Sequence, residues 1–161
     1  MVEGAPGALQ PAGAWQRNLA GEVSQRKIGV VVMEHGLDAN SPIIDRSALD
    51  AIVEIFGADD PSAILDLLDT FLAESTKQVA EMRTSFAGDD WIKLHRMAHS
   101  LKSSSATFGA TRLSQASAAL ELAAKGQCAS YECPALIEVV VGEHQAACDI
   151  LRAERNRFAS E

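Results

Sequence analysis

The chain has 161 residues, with 14 basic and 22 acidic side chains and a formal charge of −8. That length fits one domain with some tail. The acidic balance excludes the basic patch that a nucleic-acid backbone or an anionic membrane surface demands, so neither is expected as a partner. Aromatic residues make up only 5% of the chain while Ala and Leu are abundant, which favours helices over sheets.

Residues 1–40 read as a flexible tail or linker. Gly, Ala and Pro dominate residues 1–14, and no helical period is sustained. The run Ile28 to Met33 is β-prone and is open to three readings: a short strand, a sticky segment, or the remnant of an upstream domain. It is too short to span a bilayer. The start lacks a basic stretch followed by the apolar core of a secretory signal, so the expected location is the cytoplasm. Three cysteines, Cys128, Cys133 and Cys148, are odd in number and show no metal-ligand spacing. Reduced thiols are the expectation in that compartment.

From residue 41 the pattern is helical, and residues 41–161 are expected to form the folded domain. Asp45 is placed to cap a short helix, Arg46 to Phe56, with Leu49, Ile52, Val53 and Phe56 on one face and Gly57 as its stop. Asp60 caps a long helix with Pro61 at its first position, where a missing N–H costs nothing. This helix runs to about Phe86 on a stripe of Ile64, Leu67, Leu68, Phe71, Leu72, Val79 and Met82. Gly88 ends it, and Asp89 or Asp90 starts the next helix, which Gly109 closes in a left-handed conformation. Another helix, about Thr111 to Lys125, presents Leu113, Ala116, Leu120 and Ala123 or Ala124. Pro134 opens the last, which carries Leu136, Ile137, Val140, Val141, Ala147 and Leu151. Connections of a few residues make successive helices antiparallel neighbours. The expected fold is therefore all-α, an up-down four-helix bundle with a short extra N-terminal helix.

The stretch His95 to Gly109 carries the chemistry. On a helical wheel with His99 at zero, His95, Arg96, Lys102, Ser103 and Ala106 lie within roughly 60° of it. Leu94, Met97, Ala98, Leu101, Ser105 and Phe108 occupy the opposite, apolar side. His99 thus points to solvent between cations. An imidazole there is a nucleophile at neutral pH, since its ordinary pKa is about 6.5. Lys102 and Arg96 stand one turn away to balance an added negative charge. Ser100, Ser103 and Ala106 let a partner approach closely, and Ile92 gives it an apolar foothold.

The run Ala98-His-Ser-Leu-Lys-Ser-Ser-Ser105, followed by Phe108-Gly-Ala110 and Leu113, resembles the signature of histidine-containing phosphotransfer (HPt) domains of bacterial phosphorelays. The likeness covers about residues 45–158. It implies that His99 accepts a phosphoryl group from a receiver-domain aspartate, that Lys102 steadies it, and that the group then passes to another response regulator. His95, Arg96, Ile92, Ser103, Ala106 and Gly109 would support the site or dock the partner. Ser103 stands where the family usually has Gly, and its hydroxyl could bond the imidazole or the phosphoryl group. The resemblance implies no kinase activity, no cofactor of the chain's own, and Mg²⁺ on the partner receiver. It implies receivers or a hybrid sensor kinase as partners, and a monomer. The sequence leaves open whether the chain stands free or belongs to such a kinase.

Plainer readings sit beside this one. His99 could be an ordinary surface histidine on a helical interaction module that docks on signalling proteins without carrying phosphate. His95 and His99 have the spacing of a helical metal pair, but no Glu follows His95 and no third ligand is evident, so no metal site is expected.

Overall fold

The computed structural model describes residues 25–57, 60–127 and 132–160. Among these residues are six α-helices: α1 (Gln25–Glu34), α2 (Arg46–Ile52), α3 (Pro61–Ala87), α4 (Trp91–Thr107), α5 (Thr111–Lys125) and α6 (Glu132–Phe158). No strand occurs among the described residues. Helices α3 to α6 pack in a ring, each against its chain neighbours, with α3 closing onto α6. This is the expected four-helix bundle.

The helix starts are set by side-chain caps. Asp45 and Asp60 accept from the backbone N–H of Ser47 and Ser62, each at 3.0 Å. Asp90, rather than Asp89, opens α4 by accepting from the N–H of Lys93 at 3.0 Å. These bonds satisfy donors that a helix start leaves without a partner. The expected apolar stripes face inward: Ile64, Leu68, Met82, Leu94, Leu101, Leu113, Leu120, Leu136, Ile137 and Leu151 are all essentially inaccessible. Ion pairs clasp the bundle outside this core, with Arg83 on Glu138 at 2.7 Å and Arg155 on Asp69 at 2.8 Å, both joining α3 to α6.

Three expectations need correction. The segment read as tail through residue 40 carries α1, so the folded part reaches back at least to residue 25. The β-prone run Ile28 to Met33 is helical because it has a helix to lie on. Val31 is fully buried, α1 packs against α6, and His35 Nε2 meets Glu132 Oε1 at 2.7 Å. Tertiary burial overrides a weak β preference. Among the described residues, two short helices therefore precede the bundle, not one. The second correction concerns the helix expected over Arg46 to Phe56. It is α-helical only to Ile52 and continues as a π-helical turn, Val53–Gly57. The wider turn carries Phe56 off the apolar stripe, and it stands half exposed. The third concerns the thiols. Cys133 is fully buried and disulfide-bonded, while Cys148 is a free buried thiol and Cys128 lies outside the described residues.

The tight connection between α4 and α5 fixes the site's geometry. Gly109 has φ +71°, the N–H of Ala110 donates to the Ser105 carbonyl, and that of Gly109 donates to the Ala106 carbonyl. This pair of bonds is a Schellman motif. A side chain on Gly109 would bring Cβ to 2.4 Å from the Asp45 carbonyl oxygen. The N–H of Asp45 donates to the Gly109 carbonyl at 2.7 Å, so the chain before α2 rests on the bare turn. Gly109 is a structural residue that sets how α5 returns along α4.

Candidate functional site

Helix α4 buries Leu94, Met97, Ala98, Leu101 and Ser105 against the bundle, and this orients the residues between them outward. The His99 side chain is 60% exposed. Its Nδ1 lies 2.7 Å from Glu121 Oε1, and Lys102 Nζ lies 2.5 Å from Glu121 Oε2. One carboxylate on α5 therefore holds both the imidazole and the ammonium, an oxygen for each. The first distance falls in the range of charge-assisted hydrogen bonds.

The electrostatics assign the proton. The Lys102 ammonium beside Glu121 holds its carboxyl below the ordinary range, and His99 adds to this, while burial works against both. Glu121 is therefore ionised at neutral pH and can only accept. The proton between Glu121 and His99 must sit on Nδ1, which leaves the Nε2 lone pair unprotonated in the neutral ring and free to act as nucleophile.

The other expected residues are brought to the same flank in different ways. His95 stacks on His99 with ring centroids 6.4 Å apart, and its Nε2 is 3.9 Å from Glu121 Oε1. Arg96, Ser103 and Ala106 are exposed along α4, and Ile92 is 73% exposed. The Ser103 hydroxyl donates to the His99 backbone carbonyl at 3.2 Å, so it bonds the helix and not the imidazole. The Ser114 hydroxyl of α5 donates to the Lys102 carbonyl at 3.0 Å, tying the two helices together beneath the site. Trp91, Ile92, His95, Arg96, Ala124 and Lys125 border a shallow cavity beside the stacked imidazoles. Among the described residues, no three His, Cys, Asp or Glu side chains gather in a way that would hold a metal. No described helix is long and apolar enough to cross a membrane.

Sequence reasoning missed Glu121. A signal existed in the register: His99 lies ten residues before Gly109 and Glu121 twelve after it. Two antiparallel helices leaving one tight turn bring such residues level.

Known proteins share this sequence pattern and fold. Residues 66–154 match the family model described as Hpt domain. Over 86 residues, the chain is 27% identical to the phosphorelay protein LuxU of Vibrio harveyi, covering 53% of this chain and 73% of that protein. It is also similar to the crystal structure of histidine-containing phosphotransfer protein B (HptB) of Pseudomonas aeruginosa PAO1. That match has a TM-score of 0.63 and 28% identity, and covers 73% of this chain and 98% of the other. An exposed histidine on a middle helix of a four-helix bundle, with more than half of the sequence matching one family model, leads to one assignment: the chain belongs to the Hpt domain family.

Proposed function

We propose that this protein is a phosphorelay carrier whose phosphoacceptor is Nε2 of His99. The observation that supports it best is the bond from His99 Nδ1 to an ionised Glu121, which leaves Nε2 as the free lone pair of a side chain that is largely exposed.

The reaction follows from that arrangement. Nε2 attacks the phosphorus of an aspartyl phosphate on a receiver domain. A P–N bond forms, the P–O bond to the aspartate breaks, and the aspartate leaves as carboxylate. No proton has to be removed from the attacking nitrogen, because it carries none. As the imidazole loses electron density to phosphorus, Nδ1–H becomes a stronger donor, and the ionised Glu121 accepts that bond and balances the positive charge developing on the ring. Lys102, held on the second oxygen of the same carboxylate, is the cation nearest to hand for the phosphoryl oxygens. Running the step backwards onto a second receiver completes the relay. The chain supplies nucleophile and electrostatics, and the Mg²⁺ of the chemistry belongs to the receiver, so no cofactor is assigned here. It uses no ATP of its own and works as a carrier between receivers or with a hybrid sensor kinase.

Ile92 and Arg96 border the stacked imidazoles, and Ser103 and Ala106 continue the same flank with small side chains. These form the surface on which a receiver settles. The acidic charge of −8 and the lack of any membrane-spanning helix among the described residues fit a partner that is itself a protein in water.

The test is transfer from a labelled phosphorylated receiver to the protein and to its His99→Gln variant. The wild type gains an acid-labile, base-stable label and the variant gains none. If receivers bind the wild type but leave it unlabelled, the carrier reading fails and the chain is an interaction module.

A further inference from the structure

Arg83, Lys93, Lys102, Arg112 and Arg155 each rest on a carboxylate of another helix. Arg96 of α4 and Lys125 of α5 do not. Both are exposed, and neither has an acidic partner among the described residues. The two border one hollow of about 350 Å³, where the first turns of α4 meet the last turn of α5. Its floor is apolar. Ala124 is buried there, and the half-buried indole of Trp91 meets Phe86 edge to face, with ring centroids 5.7 Å apart. Ile92 stands exposed at its margin, and His95 brings an imidazole to the same wall. Glu121 Oε1 lies 3.9 Å from His95 Nε2, but Lys102 already balances that carboxylate. The hollow therefore presents two unmatched positive charges over apolar surface, in a chain whose formal charge is −8.

We propose that this hollow binds a small organic phosphate monoester, with its phosphate between Arg96 and Lys125 and its apolar body against Trp91, Ile92 and Ala124. The charges point to phosphate. Elsewhere one carboxylate matches one cation, as Glu138 does Arg83 and Asp69 does Arg155. Two cations without carboxylates call for a dianion, and a phosphate monoester carries nearly two negative charges at neutral pH. The planar fork of Arg96 suits two phosphate oxygens at once, and the ammonium of Lys125 adds a point charge that can follow a third. His95 can donate a ring N–H to the same group. The floor points to an ester and not to the bare ion, because only an organic body removes that apolar surface from water. Ion pairs open to water are weak, so the affinity needs both parts. The volume lies at the lower end for small-molecule sites, which suits a single ring or a short chain. Ile92 and Arg96 also belong to the surface proposed above for a receiver, so an occupied hollow and a docked receiver exclude one another. That exclusion rests on the carrier reading, and the binding itself does not.

The probe is phenyl phosphate, titrated into the full chain and followed by amide chemical shifts and the indole N–H of Trp91. Saturable binding is expected, with shifts centred on Trp91 to Arg96 and Ala124 to Gln127. The double variant Arg96→Gln/Lys125→Gln should weaken binding about fivefold or more. Arg26→Gln/Lys27→Gln, which removes the same charge at exposed sites on α1, should change it less than about twofold. Inorganic phosphate should bind about threefold or more weakly than the ester, and Ile92→Ser should narrow that difference. Absence of saturable binding overturns the proposal. So does equal weakening by both charge doubles, which would make the attraction one of net charge alone, and so does inorganic phosphate binding as tightly as the ester. The titration uses no receiver and no transfer, so its failure is distinct from failure of the carrier reading. The exclusion has its own measurement: saturating ester should slow labelling by a phosphorylated receiver about threefold or more, and undiminished labelling overturns it.

Discussion

His99 and His144 place the same imidazole in the same bundle and make opposite things of it. His99 lies on α4, 60% exposed, with Nδ1 held by a carboxylate of α5. His144 lies on α6 with 7% of its surface accessible. Its Nε2 sits 2.9 Å from the Ser75 hydroxyl of α3 and 3.2 Å from Cys148 Sγ. Burial, and then the Arg152 charge, push the pKa of His144 down, so it stays neutral. A hydroxyl can satisfy a buried ring nitrogen but cannot balance a cation forming on the ring; a carboxylate can. Solvent access gives a reactant a way to one nitrogen, and the carboxylate decides which nitrogen that is. His144 has neither feature and serves as a polar peg between α3 and α6.

The largest effect that separates the two is on transfer itself. His99→Gln should abolish labelling, while His144→Gln should be labelled at close to the wild-type rate and show only a lower Tm. Loss of labelling in a folded His144→Gln protein would mean that the core histidine takes part in the chemistry. Ser75→Ala attacks the peg from its other side. Leaving a buried ring nitrogen without its hydroxyl partner costs about 1–3 kcal/mol, which at about 2–4 °C per kcal/mol is a fall of several degrees in Tm by calorimetry. An unchanged Tm would show that the Ser75 bond carries no weight. On the exposed side, Glu121→Ala should slow single-turnover transfer roughly tenfold, the equivalent of about 1.4 kcal/mol and of one lost charge-assisted bond. Glu121→Gln should cost less, because its amide oxygen still accepts from Nδ1. The ¹⁵N shifts of the His99 ring would report the matching change, from one tautomer in the wild type to a mixture in Glu121→Ala. If the rate falls with no change in tautomer, Glu121 acts on Lys102 alone.

The two histidines also show how far the sequence could be read. The site around His99 was legible because it is local: its cations, its small neighbours and the apolar stripe behind it lie on one helix and obey one period. Caps at Asp45 and Asp60, and the left-handed Gly109, were legible for the same reason, each being settled within a few residues. What was lost involves residues that meet only after folding. Glu121 looks like any solvated helix residue until α5 is laid beside α4. Ser75 and His144 are 69 positions apart, and neither has a neighbour that announces a buried bond. The helix at Gln25–Glu34 was misread because its β-branched run takes its conformation from α6, on which it lies, and not from its own preferences. The π-helical turn at Val53–Gly57 left no mark on a pattern read at 3.6 residues per turn.

The smallest predicted effect uses acid to tell the two regions apart. His144 has its folded pKa pushed below the ordinary 6.5. Below pH 6.5 the unfolded chain takes up a proton that the folded chain refuses, so stability falls as the pH drops from 6.5 toward the folded value. The slope from this one group is at most about 1.4 kcal/mol per pH unit. Glu121 also has a lowered folded pKa, but its ordinary value is 4.5. Its contribution is fully present above pH 4.5 and is lost as the pH falls further, through the folded value. Acid should therefore loosen the core peg before it breaks the clasp on His99. Following Tm from pH 7.5 downward, the His144→Gln protein should lose part of the wild-type slope that begins near pH 6.5 and keep the steeper loss below pH 4.5. Glu121→Gln should show the reverse. If both variants track the wild type between pH 6.5 and 4.5, the neutral state of His144 contributes nothing to stability, and the contrast between the two imidazoles is one of exposure alone.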